Sequence, residues 1–95
     1  MACYITLLKF TEQGAKSIKD TATRAAQFRT AAEKSGVKVV GQYWTLGDYD
    51  GVLVLECDKA ENALHCLAEL SAAGHVQTHT LPAYTADEIK TILHL

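Results

Sequence analysis

The chain has little with which to staple itself, cross a membrane or grip a polyanion. Its 95 residues include one proline and three cysteines. The cysteine count is odd, no C-x-x-C is present, and Cys3, Cys57 and Cys66 stand in apolar surroundings. They read as small buried hydrophobes in a reducing compartment. A nucleophilic or redox role would fall to Cys57, near a strand end. No apolar run approaches the ~20 residues needed to span a bilayer. The N-terminus lacks the basic region of a signal peptide. The net charge of −2 shows no basic excess, which argues against nucleic acid as a partner. There is no P-loop, no G-x-G-x-x-G and no Ser-His-Asp order. A soluble cytoplasmic protein is expected, with no cofactor and neither membrane nor nucleic acid as a partner.

What is present suits one globular domain over residues 1–95. The hydrophobic fraction is 48%, enough for a single core at this length. Residues 3–10 alternate, with Tyr4, Thr6, Leu8 and Phe10 on one face and Cys3, Ile5 and Leu7 on the other. Both faces carry apolar groups, as in a central strand covered on both sides. Thr11 can cap a short helical turn, and Asp20 or Thr21 a longer helix. Ala22, Ala25, Phe28 and Ala32 recur at helical spacing, and Ser35-Gly36 ends that helix. A second strand covers residues 37–45 and a third residues 52–57. Between them lies Leu46-Gly47-Asp48-Tyr49-Asp50-Gly51, where Asp-Gly is a strong hairpin signal.

Asp58 is a fitting N-cap for a second long helix, with Glu61 at the position of a capping box. Ala60, Ala63, Leu64, Leu67 and Leu70 trace its inner face. Residues 75–81 alternate as a polar edge strand that Pro82 ends. Thr85-Ala86-Asp87-Glu88 is a capping box. It opens a C-terminal helix expected to turn Ile89, Ile92 and Leu93 inward.

The order β-α-β-β-α-β plus a terminal helix is the split βαβ, ferredoxin-like plan of an α+β fold. Right-handed crossovers put both long helices on one face of the sheet. The helix-covered face is expected to take Ile5, Leu7, Leu53 and Leu55. The open face would carry Tyr4, Thr6, Leu8, Val54 and Glu56, with Gln42, Trp44, Gln77 and His79 at its flanks. So apolar a patch calls for a cover. A homodimer, sheet to sheet, is expected.

The candidate chemistry lies in three places. At the hairpin, one carboxylate of Asp48 or Asp50 could serve as a base or ligand acceptor, with Tyr49 as donor. The competing reading is turn chemistry, in which the aspartates bond local backbone. Around the first long helix, Lys16, Lys19, Arg24 and Arg29 could meet an anion or form a solvated face. Arg24 lies in the first turn, where a cation opposes the helix dipole. It needs compensation from Asp20, from Asp48 or from a ligand. Trp44 reads as an interface anchor before a cofactor platform. Histidine offers no metal set: His75 and His79 are about 13 Å apart along a strand. His65, between Glu61 and Glu69, fits an exposed helix face, and His94 is terminal.

Taken together, these residues resemble the GYD-domain family. The signature is Leu46-Gly47-Asp48-Tyr49-Asp50. In order along the chain it is joined by Tyr4-Ile5, Thr11-x-x-Gly14, Ile18-Lys19-Asp20, Arg24 and Gly36. Leu53 with Glu56, Gly74-x-Val76-x-Thr78 and Thr80-Leu81-x-Ala83-Tyr84-Thr85 follow. Ala22 stands where a proline often opens the first long helix. The resemblance implies a ferredoxin-like fold and a dimeric α/β-barrel type of assembly, and it implies little about activity. The family-pattern residues present are Lys19, Asp20, Arg24, Gly47, Tyr49 and Asp50.

Two functions remain open. One is a non-catalytic homo-oligomeric module that binds a partner or a small anionic molecule near Lys19, Asp20, Arg24, Trp44 and the hairpin residues Asp48, Tyr49 and Asp50. The other is a cofactor-independent monooxygenase- or isomerase-like enzyme. It would use His79 or Asp50 as base and Tyr49 or Tyr4 as donor, in a pocket beside Trp44. A nucleotide sensor of the PII-like kind would need a longer loop between the second and third strands.

Overall fold

A computed structural model describes residues 1–94. Strand β1 (Ala2–Phe10) leads through a short helix α1 (Glu12–Lys16) and a 3₁₀ turn (Ile18–Asp20) into helix α2 (Thr21–Lys34). Strands β2 (Val37–Trp44) and β3 (Gly51–Cys57) precede helix α3 (Ala60–Ala72). Strand β4 (Val76–Ala83) and helix α4 (Ala86–Ile92) complete the order. The four strands form one antiparallel sheet in the order β2-β3-β1-β4. This is the expected α+β, ferredoxin-like plan, with β1 and β3 central.

The core lies between the sheet and the long helices. Val37, Val39, Leu53, Leu55 and Cys57 meet Ala32 of α2 and Ala63, Cys66 and Leu67 of α3. Alanine at the helix contact lets α2 lie close to the strands. Directly paired residues share a face, and Tyr4, Thr6 and Leu8 pair with Leu55, Leu53 and Gly51. They therefore face the helices, while Ile5 and Leu7 lie on the open side with Val54 and Val52. This reverses the expectation for β1. Thr6 is fully buried, which its hydroxyl tolerates by bonding that of Thr80 at 2.9 Å. Val54, Glu56, Gln77 and His79 lie on the open face as expected.

Gln42 and Trp44 also change sides. A bulge at Val40 breaks the β2 register between Val39 and Gly41, and one extra residue inverts the alternation beyond it. Gln42 then faces α2, donating its side-chain N–H to the Ala25 carbonyl at 2.9 Å.

The helix ends follow their caps, with one exception. Thr11 accepts the Gly14 N–H, and Thr85 with Glu88 forms a full capping box. The Thr85 backbone N–H, by bonding the Glu88 carboxylate, holds that group below its usual range. Gly36 and Gly74 end α2 and α3 at positive φ. For α3 the expected cap fails: Lys59, not Asp58, is the N-cap, with no side-chain bond. Strand β4 runs past Pro82. It is an edge strand, where the missing N–H can point away from the ladder. Helix α4 buries no residue, and Ile89, Ile92 and Leu93 are exposed rather than inward. Among the described residues no helix is long and apolar enough to cross a membrane.

Candidate functional site

The β2–β3 connection is a six-residue loop, residues 45–50, rather than a tight Asp-Gly turn. The positive φ belongs to Gly47, at 98°, while Gly51 is already in the strand. Gly51 serves close approach: a Cβ there would lie 3.1 Å from the Tyr43 carbonyl oxygen and 3.4 Å from Leu8. The loop is closed by Thr45, whose backbone N–H donates to the Asp50 carbonyl at 2.9 Å and whose hydroxyl donates to the Tyr49 carbonyl at 2.6 Å.

Asp50 ties this loop to β1. Its backbone N–H donates to the Leu8 carbonyl at 2.7 Å, and its carboxylate Oδ2 accepts the Phe10 N–H at 2.8 Å. The β3 ladder stops at Gly51, so the carboxylate satisfies a donor that no further strand residue reaches. The Asp50 carboxylate thus bonds the neighbouring strand, not the hairpin's own backbone and not Arg24. Tyr49 is half-buried, with Lys9 Nζ 5.7 Å from its ring centre. Asp48, Lys19 and Asp20 are exposed.

At this end of the sheet a cleft of about 320 Å³ is lined by residues of β1, β2, β3, α2 and α3. Leu8, Phe28, Leu53, Leu70 and Val76 are among its apolar lining, and Thr21, Arg24, Trp44, Asp50, Glu69 and His75 among its polar lining. The Trp44 indole N–H donates to the Thr21 hydroxyl oxygen at 3.1 Å. Arg24 is half-buried, and its Nη1 donates to the Ser17 carbonyl at 3.0 Å. Among the described residues no carboxylate pairs with it. The compensation expected from Asp20 or Asp48 comes from a backbone carbonyl.

The structure therefore gathers Arg24, Trp44 and Asp50 at one cavity and leaves Lys19, Asp20 and Asp48 outside. His79 pairs with Leu7 on the opposite face of the sheet, so it does not converge with Asp50. Tyr4 faces the helices with the core. His65 forms an exposed pair with Glu69 at 3.3 Å. Sequence reasoning does not reach Thr21, Phe28 and Leu70 as site residues. Phe28, one large ring in an alanine stripe, is the signal that points there.

Cys66 also lines the cavity, 4% exposed. Burial, then the neighbouring Cys57 and Glu69, pushes its thiol up to about 11. Cys3 is raised too, by burial and then by Glu56 and Glu88. At pH 8 roughly a thousandth of Cys66 is thiolate. Native protein treated with iodoacetamide at that pH should gain at most one adduct, on half-buried Cys3. In urea all three cysteines should react. Rapid native labelling of Cys66, read by peptide mass, would show that its packing is looser than described.

Fold and hairpin together define a small ferredoxin-like α+β protein with a signature loop tied to its central strand. The chain belongs to the GYD-domain family, whose model matches residues 4–93. It is similar to a Thermus thermophilus protein named "Glutamine synthetase and cystathionine beta-lyase binding protein". The two are 34% identical over 84 residues, covering 87% of this chain and 88% of that protein.

Proposed function

We propose that this chain is a non-catalytic protein-binding module, one domain over residues 1–95. It would act in the cytoplasm as a homodimer that docks on enzymes of amino-acid metabolism. The observation that carries the reading is the open face of the sheet. Ile5, Leu7, Val52 and Val54 form an apolar centre there without a covering layer. Lys9, Lys38, Glu56, Gln77 and His79 surround it. An apolar centre inside a charged rim is the anatomy of an interface. Two such faces pack at about 10 Å, the ordinary spacing of stacked sheets.

The choice of partner class rests on the relative, which is named for binding two enzymes. The separation of His79 from the cavity that holds Asp50 supports binding over acid–base catalysis.

The test has two parts. Light scattering on purified protein should give twice the chain mass of 10.3 kDa. Biolayer interferometry should show saturable binding to glutamine synthetase or cystathionine β-lyase from the same source organism. A monomer would remove the sheet-to-sheet pairing. Absence of binding to both enzymes would remove the partner assignment.

A further inference from the structure

We propose that the cavity between the sheet and helices α2 and α3 binds a small monocarboxylate with an apolar body, its carboxylate held by Arg24 and Thr21. The cavity is a cleft of about 320 Å³, partly open to solvent and lined mostly by apolar groups. Its size falls in the range of small-molecule pockets. Leu8, Phe28, Leu53 and Leu70 would enclose an aryl or branched alkyl group.

Arg24 and Thr21 select the charge. A guanidinium has five N–H donors, and among the described residues Arg24 gives one hydrogen bond, to the Ser17 carbonyl. Thr21 lies one helical turn before Arg24, on the same face of α2. Its hydroxyl oxygen already accepts from Trp44, which leaves the hydroxyl proton to donate elsewhere. Guanidinium and hydroxyl proton are both donors and both call for an anion. Two carboxylates also line the cavity: Asp50 Oδ2 accepts from Phe10, and Glu69 Oε1 faces His65. The leucines and Phe28 of the wall call for an apolar body on the ligand. The cavity is on the opposite side of the sheet from the proposed dimer surface, so either proposal can fail alone.

Trp44 is the only tryptophan in the sequence and borders the cavity, which makes its fluorescence a direct reporter. The full chain would be titrated with 3-phenylpropanoate and, separately, with 3-phenylpropanamide, an uncharged analogue of the same shape. The acid should give a saturable change, and the amide should bind about tenfold more weakly or worse. In Arg24→Gln, checked for folding by circular dichroism, the difference between acid and amide should vanish. Equal binding of acid and amide to the natural chain, or no saturable response to the acid, would overturn the proposal without reference to any variant.

Discussion

Gly14→Ala is expected to destabilise the fold by about 3 kcal/mol or more, a larger loss than a surface helix position normally gives. The reason is space. A Cβ at Gly14 would fall 2.0 Å from the His75 carbonyl oxygen, and that oxygen belongs to backbone that cannot rotate away. The same carbonyl accepts the Thr11 N–H at 3.0 Å, and the Thr11 hydroxyl donates to the Gly74 carbonyl at 2.6 Å while accepting the Gly14 N–H. Moving α1 outward to relieve the clash would strain or break these bonds, each worth about 1 kcal/mol. The end of β1, the short helix and the start of β4 would then separate together.

Urea melts should show the loss directly. Heat should show a fall of roughly 12–24 °C for a domain of this size. Gly47→Ala supplies the contrast. Gly47 has φ 98°, but a methyl group there would meet nothing within 4 Å, so conformational strain alone, about 1 kcal/mol, is expected. Equal losses for the two substitutions would mean that the α1 junction yields and that the argument from space is wrong.

The plan of the fold was legible in the sequence because each element had its own signal. Glycine at helix ends, the Thr85 capping box and the run of apolar residues in β3 all act locally, within a few positions of the structure they cause. The assignment of faces was not legible for the same physical reason. In β1, Ile5 and Leu7 are as apolar as Tyr4 and Leu8, so alternation alone could not choose the covered side. The choice depends on register with β3 and on the Thr6–Thr80 hydroxyl pair, both long-range. In β2 the alternation was clear but interrupted. The Val40 bulge leaves no unmistakable mark in the sequence, and it carries Gln42 and Trp44 to the helix side. Part of the cavity was hidden by this inversion. Arg24 could be singled out because a cation in a first helical turn is unusual. The apolar wall opposite it could not be assembled without the register.

The neighbouring residues Leu55 and Val54 turn the question of faces into an experiment. Leu55 is fully buried, central in β3, and paired with Tyr4 on one side and Val39 on the other. Leu55→Ala should cost about 3–4 kcal/mol, the lost transfer of its methyl groups plus the cavity they leave. For a domain whose total stability is about 5–10 kcal/mol, that is a large fraction, and it should be the same at every protein concentration.

Val54→Lys acts one residue away on the other face. On an isolated chain Val54 is only partly exposed in a central strand, so a loss of about 1 kcal/mol is expected, well short of that for Leu55→Ala. In a sheet-to-sheet dimer the two-fold axis brings two copies of the new charge into one dry interface. The chain should then scatter light as a monomer. Its melting temperature should also lose the rise with protein concentration that a dimer shows. If Val54→Lys keeps the mass and the concentration dependence of the natural chain, the open face is not the dimer surface. If it unfolds the chain as Leu55→Ala does, then Val54 belongs to the core and the two sides of β3 have been misassigned.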